Sequence, residues 1–541
     1  MMNSLSNREP PASRNEAEYL FKGLSSYDAV PYESVAFSQT HPDHLAVLGR
    51  LFGMRPAPVT RCRVLELGCA SGGNLIPMAY NLPDSVFVGV DFSARQVAEG
   101  RRMINDLNLT NIRIEPISIM DIDASWGQFD YIITHGVYSW VPEAIREKIL
   151  NVSAANLSPQ GIAYVSYNTY PGWHMREMIR HMMLYHANQF DDHQERIEQA
   201  RALMDFLAGA VSTEHNPFGL LLEKEIRLIK NVNDSYLFHE HLEDVNTPVY
   251  FHQFMERAKR HGLQYLGEAD VAAMLTSGFP SEVSETLDRI SRNIINKEQY
   301  MDFLHNRFFR QTLLCHQGIE LRRELGPQHI SDMRVASNAQ PKEAPIDLAP
   351  DTIQAFETLG GSVVESHFPM TKAAMAVLAR QWPQALTIAD LFAKALHMLG
   401  DSLECDLQKA KEQLMTDIFH CYIANAMELH TWQAEFVVEV RERPRSSPLA
   451  RYLLANQKAP VNQRHEVTKM SAVASQLVPV MDGSRDRSAL IEILIQCVQD
   501  GNLVVEQDEA VITDKEAQRS ALGKALDQSL ENLKSSAMLV E

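Results

Sequence analysis

No run in the 541-residue sequence approaches the roughly 18 uninterrupted apolar residues that a membrane-crossing helix needs. Cysteine is scarce. The six are Cys62, Cys69, Cys315, Cys405, Cys421 and Cys497, and none forms a C-x-x-C pair. Neither a disulfide framework nor a structural zinc site is expected, and the thiols read as the reduced residues of a cytoplasmic protein. Positive charge is also short: 50 Lys and Arg against 69 Asp and Glu leave a formal net charge of −19. A protein that reads nucleic acid usually carries a basic stripe that displaces counterions from phosphates. The only dense basic stretch here, Arg441, Arg443 and Arg445, is diluted by glutamate. Neither nucleic acid nor a membrane is an expected partner. Residues 1–24 show no basic segment leading into an apolar one, so a disordered lead-in is expected rather than a secretory signal.

What is present is an alternation. From Arg63 onward, RVLELG, SVFVGVD, NIRIEPIS, FDYIITH and GIAYVSYN read as short buried strands, separated by amphipathic helical stretches. That order predicts an α/β fold, a parallel sheet with helices on both faces, over a core of residues 25–175. Pro77 falls in the first turn of a helix, where a missing N–H costs nothing. After YNTYPGWH the strand signal stops. Residues 176–335 are expected to form a mainly helical region, with one last α–β unit of the sheet at about 236–268 and helix again over 279–324. VASNAQPKEAPIDLAP, with its three prolines, reads as a linker over 336–350. Residues 351–541 are expected as a separate, mainly helical module of two winged-helix-like units, the second ending in a strand-like NLVV. Removing it beyond about Pro350 is expected to leave a folded core.

The turn after the first strand is ELGCASGG, with Gly68, Gly72 and Gly73 ahead of a helix. Glycine there lets main chain approach a ligand, and the helix N-terminus presents free N–H groups. The spacing is not the G-x-G-x-x-G of a dinucleotide site, and Glu66 stands just before it. That departure favours S-adenosylmethionine, whose amino-acid end is smaller than a pyrophosphate. Asp91, followed by Phe92, ends the second strand where a carboxylate accepts from two ribose hydroxyls. Asp121 in SIMDID is placed to accept from an adenine amino group, with Met120 and Ile122 beside the base. The plainer alternatives are a helix cap for Asp91 and a loop carboxylate for Asp121.

VLELGCASGG, FVGVD and SIMDID resemble the successive cofactor motifs of class I (Rossmann-like) methyltransferases. More narrowly, YDAVPYESVAF, THPDHL, HGVYSWVP and SYNTYPGWH resemble bacterial methyltransferases with a methyltransferase regulatory domain. Rickettsial protein-lysine methyltransferases acting on outer-membrane proteins belong to that group. The resemblance covers about residues 27–315, and beyond them only the layout matches. It implies a Rossmann-like core, a helical middle region and winged-helix-like C-terminal units, and leaves the methyl acceptor open.

Methyl transfer from a sulfonium is an in-line displacement, so alignment of a neutral nucleophile is the main task. Side chains beyond the fourth and fifth strands are the candidates: His135, Tyr138 and Trp140, then Tyr167, Asn168, Tyr170, Trp173 and His174. Tyr138, Asn168, His135, Tyr170 and Trp173 are the expected catalytic set, with His135 also touching cofactor. Aromatic rings there suit an alkylammonium, although Trp140 and Trp173 would serve equally as packing. The tetrapeptide Asp/Asn-Pro-Pro-aromatic, usual for transfer to amide or ring nitrogen, is absent from the fourth strand. Tyr27, Tyr32 and His41 are candidates for a lid. His239, Glu240 and His241 have H-E-H spacing on an expected strand or loop, without a third ligand, and no metal is expected. Three functions fit: a protein-lysine methyltransferase whose C-terminal module recognises the substrate, a small-molecule methyltransferase, or a non-catalytic sensor of S-adenosylmethionine.

Overall fold

The computed structural model describes residues 34–276, 278–400, 406–507, 510–512 and 514–540. The expected lead-in and the lid candidates Tyr27 and Tyr32 lie outside the described residues. The expected segments supply β1 (Arg63–Leu67), β2 (Val86–Asp91), β3 (Ile112–Pro116), β4 (Phe129–Thr134) and β5 (Leu157–Asn168). With β6 (Leu263–Glu268) and β7 (Phe309–His316) they form a seven-stranded sheet in the order β3-β2-β1-β4-β5-β7-β6. Neighbours among β1 to β5 are parallel, and β7 runs antiparallel between β5 and β6. Helices cover both faces of such a sheet, so its strands are apolar nearly throughout. Val64, Leu65, Leu67, Ile132 and Ile133 are fully buried.

Helix does not continue through 279–324 as the sequence suggested. Ser281–Ile290 and Ile294–His305 are helical, but the FRQTLLCH that follows is β7. Leu313, Leu314 and Cys315 are buried on both sides of the sheet, so no polar–apolar alternation marks the strand. Its arginine, which reads as a helix surface residue, is buried too. Arg310 pairs with Glu268 at 2.6 Å, Asp302 at 2.8 Å and Glu298 at 3.1 Å.

Between β5 and β6, helices Trp173–Ala187, His193–Ala210 and Pro217–Lys230 pack on an apolar cluster of their own. They follow β5 directly, which sets them at the C-terminal edge of the sheet. Phe238–Leu242, which holds the H-E-H residues, is a turn of π-helix rather than strand or loop.

Residues 336–350 are not a free linker. Arg334–Ala336 is the central strand of a small sheet, between Leu386–Thr387 and Glu428–His430, and Val335, Ala336 and Ala339 are buried. Nor is the C-terminal part separate from the core. One apolar cluster runs from Leu45, Val64 and Leu75 through Val335, Phe356 and Met375 to Leu414 and Leu449. These contacts join segments hundreds of residues apart, and periodicity within a segment is blind to them. Both helix–turn–helix layouts are present, as Pro369–Gln381 with Ile388–Leu399 and as Ala472–Leu477 with Arg487–Gln499. The second leads to a minimal hairpin, Glu506–Gln507 with Ala510–Val511, and NLVV itself is not a strand. No described helix is long and apolar enough to cross a membrane.

Candidate functional site

The chain leaves β1 and turns back through residues 68–73 into helix Leu75–Asn81. Gly68 has φ +75°, and a Cβ there would stand 2.5 Å from Val137 Cγ2, so only glycine fits. At Gly73 a Cβ would stand 2.1 Å from the Ser34 carbonyl oxygen. The Gly73 N–H donates to Ser34 Oγ at 2.8 Å, which brings residues 34–37 over the turn.

A cavity of about 510 Å³ opens at this turn. One end is lined by Glu66, Gly68, Ala70, Asp91, Phe92 and Ile119. Asp91 ends β2 and ties the turn to the next helix: Oδ2 accepts from the Ala70 N–H at 2.8 Å and Oδ1 from the Ser93 N–H at 2.9 Å. The helix cap is Ser93, whose Oγ accepts from the Gln96 N–H, so Asp91 does not fill that ordinary role. Glu66 Oε1 accepts from Asn74 Nδ2 at 2.8 Å, while its buried Oε2 has no hydrogen-bond partner. Burial pushes the Glu66 carboxyl up to about 7, opposed by the Asn74 hydrogen bond and reinforced by the nearby Asp91 charge. A cationic amino group would satisfy that orphaned oxygen and restore full ionisation. At the end of β4, the His135 ring lies 4.0 Å from that of Phe37, with Nδ1 2.9 Å from the Tyr164 hydroxyl. Burial lowers His135 to about 4, so the ring is neutral.

The other end of the cavity is acidic and aromatic, with Trp140, Asn168, Arg176, Tyr236, Glu240, Glu243 and Phe308 on its wall. Glu240 and Glu243 come from the π-turn and the residue after it, a distortion that re-aims side chains and recurs at functional sites. Burial raises the Glu240 carboxyl to about 7, against the charges of Arg176 and Arg180. The His239 Nδ1 is 3.0 Å from Glu243 Oε1, and the Arg176 guanidinium sits over the Phe308 ring at 4.0 Å.

Of the residues singled out in the sequence, Glu66, Gly68, Asp91, Phe92, His135, Trp140 and Asn168 meet in this cavity. His239 and Glu240 line it as well, whereas Gly72, Gly73, Asp121, Ile122, Tyr138, Tyr170, Trp173 and His41 do not. Gly72 and Gly73 shape the turn from behind. Asp121 ends a short turn, Ile119–Asp121, exposed to solvent, while Ile117, Ser118 and Ile119 take the wall; Ile122 is fully buried beneath. Tyr138 opens the turn Tyr138–Trp140, which sends Trp140 to the cavity and Tyr138 into the core, against Phe254 at 5.2 Å and Tyr167 at 5.9 Å. Tyr170 stacks on His174 at 4.0 Å, and its hydroxyl donates to Glu177 at 3.2 Å. Trp173 is buried, with the Arg176 guanidinium 5.6 Å from its ring. His41 caps helix Pro42–Leu51, its Nδ1 accepting from the Asp43 N–H at 3.2 Å. No sequence pattern marked Asn74, Arg176, Tyr236 or Phe308 as site residues. Glu240 was visible only as the middle of a metal-like H-E-H.

Comparison with known proteins matches three family models along the chain: "Methyltransferase domain" over 64–161, "Predicted methyltransferase regulatory domain" over 233–316, and "PKMT, C-terminal winged helix domain" over 442–538. An uncharacterized protein of Rickettsia prowazekii is 35% identical, with 99% of each chain covered. A second protein of that organism is 42% identical over 44% of this chain and 96% of its own. The structure of PKMT2 from Rickettsia typhi in complex with AdoHcy superposes with a TM-score of 0.87, at 31% identity, covering 94% of this chain and 100% of the other.

Proposed function

We propose, from the premise that the chain belongs to the bacterial S-adenosylmethionine-dependent methyltransferases with a methyltransferase regulatory domain, that its acceptor is a lysine side chain of a protein. The cofactor is S-adenosylmethionine, which supplies a methyl group on a sulfonium for in-line displacement. Glu66 would take the amino end and Asp91 the ribose hydroxyls, with Phe92 and the Ile117–Ile119 wall beside the base. Asp121, away from the wall, is left out of that set.

The observation that carries the lysine reading is the acidic, aromatic second arm. Glu240 and Glu243 offer carboxylates to an alkylammonium, and Trp140, Tyr236 and Phe308 offer ring faces to it. A lysine must lose its proton before it attacks, and a carboxyl held near 7 takes a proton at neutral pH. Neutral His135 and Asn168 border the space between the two ends. A neutral small-molecule acceptor would have no use for Glu240, and a non-catalytic sensor no use for the second arm. The winged-helix unit would hold the substrate protein.

Labelled S-adenosylmethionine and a bacterial lysate test this. Label should enter the protein fraction and be recovered as methyllysine after hydrolysis. Label confined to solvent-extractable metabolites, or to protein residues other than lysine, would overturn it.

A further inference from the structure

We infer that His465, from the C-terminal winged-helix unit, is a positioning residue of the cofactor site: through Asn74 it fixes the Glu66 carboxylate against which the amino end of S-adenosylmethionine docks, resting on the assignment of Glu66 made above. His465 Nε2 lies 2.8 Å from Asn74 Oδ1, across 391 residues of sequence. On its other side, Asn74 Nδ2 donates to Glu66 Oε1 at 2.8 Å and to Thr40 Oγ1 at 3.0 Å. All four side chains are buried.

The proton positions follow from the partners. The Phe37 N–H, which can only donate, meets Asn74 Oδ1 at 2.9 Å, and this sets which end of the amide is oxygen. His465 must then donate through Nε2. Its Nδ1 is buried with no partner, and burial, reinforced by His41, holds the ring well below the ordinary histidine range, so it is neutral. The Asn74 carbonyl thus receives two N–H groups, one from the segment over the glycine turn and one from the winged-helix unit. Without the second, the amide is held by the Phe37 N–H and Thr40 alone, which loosens its grip on Glu66 Oε1.

The backbone of His465 is built for this reach. It has φ +63°, a left-handed conformation uncommon for histidine. Asn462 Oδ1 holds the turn by accepting the N–H groups of Arg464 and Glu466, each at 2.9 Å. Gln463 Nε2 donates to the Leu539 carbonyl at 2.6 Å, near the end of the winged-helix unit. Arg464 pairs with Glu428 and stacks on Trp382 at 4.3 Å, in the unit before it. The position of His465 therefore reports how the whole C-terminal part is seated. Cofactor binding and seating of that part are then thermodynamically linked.

Calorimetry on the full chain separates positioning from packing by comparing S-adenosylhomocysteine with 5′-methylthioadenosine, which lacks the amino-acid end. His465→Ala and His465→Phe should weaken S-adenosylhomocysteine about tenfold, the worth of one buried hydrogen bond, and leave methylthioadenosine within about twofold. His465→Asn, which keeps a donor and tolerates positive φ, should recover most of the loss. Equal weakening of both ligands, or none for either in the variant that stays folded, overturns the inference. Glu66→Gln is the control for the underlying assignment. If it discriminates between the ligands and the His465 variants do not, the inference fails alone; if neither discriminates, the Glu66 assignment fails with it.

Discussion

Asp43 Oδ2 and His430 Nδ1, 387 residues apart in sequence, are 2.9 Å apart in a half-buried contact that closes the C-terminal part onto helix Pro42–Leu51. Asp43 Oδ1 also accepts from the Thr431 N–H at 2.8 Å, the Thr431 hydroxyl at 2.6 Å and the Trp432 N–H at 2.9 Å. One carboxylate in the first turn of helix Pro42–Leu51 thus anchors a strand end from the far side of the molecule. Breaking such a pair leaves a buried charge uncompensated.

The contact should make stability pH-dependent. Burial opposes the charge on His430, but Asp43 and Glu428 win and hold it up at about 9, against an ordinary 6.5. A raised pKa contributes stability that is complete below about pH 6.5 and lost as pH rises toward 9. Asp43 is held below its ordinary 3.8, despite burial, by His430 and Thr431, so its share disappears on acidification below that value. His430→Gln should lower the melting temperature by several degrees at pH 6 and by much less at pH 9.5. A gap that stays constant across that range in thermal scans would refute the linkage.

Truncation after Pro350 should not leave a folded core, contrary to what the composition of the linker suggests. The cut would divide the apolar cluster that holds Leu45, Phe52 and Val335 and continues to Leu414 and Leu449. Deletion also strips His430 from Asp43 and His465 from Asn74. Aggregation or loss of the cooperative melt is expected; a soluble truncation that binds S-adenosylhomocysteine like the full chain would show that the cluster is dispensable.

Asp91→Ala should weaken S-adenosylhomocysteine by about two orders of magnitude, since charge-assisted hydrogen bonds to ribose would go together with the anchor of Ala70. Asp121→Ala should leave affinity within about twofold, because that carboxylate is exposed and off the cavity wall. Titration calorimetry on both variants decides it. Equal effects would mean that the wall at the adenine end differs from the one described.

The contrast between these aspartates shows what sequence carries. Strands β1 to β5, the glycine turn and the place of Asp91 on the cavity wall were legible because each is a local pattern: a buried run, a spacing, a strand end. Asp121 lies off that wall because a strand end fixes where a residue sits but not which way the following turn rotates it. Tyr138 packs into the core for the same reason, one turn of 3-10 helix exchanging its place with Trp140. β7 was hidden by burial on both faces and by an arginine whose partners lie on other segments. Asn74 and His465 look like any helix-start asparagine and loop histidine until two distant parts of the chain meet.

Tyr138→Phe should therefore leave turnover within about twofold. The ring is wholly buried against Tyr167 and Phe254, and the hydroxyl faces Arg257 rather than the cavity. Losing the hydroxyl's contact with Arg257 should lower the melting temperature slightly at most. A large fall in kcat with an unchanged melt would return Tyr138 to the catalytic set.

Glu240→Gln should lower kcat about 100-fold at pH 7 if its carboxylate takes the proton from the acceptor lysine, with little change in S-adenosylmethionine affinity. The sign of the pH dependence follows from the raised carboxyl. Ionised Glu240 is the working form, so wild-type kcat should climb with pH through about 7 and then level off. Arg176 and Arg180 pull the carboxyl down while burial pushes it up, so Arg176→Gln should move the climb to higher pH. In Glu240→Gln the climb should shift to the alkaline range where lysine sheds its proton unaided, narrowing the gap to wild type as pH rises. A variant with the wild-type profile at lower amplitude would reduce Glu240 to a charge on the wall, and full activity at pH 7 would remove it from proton transfer.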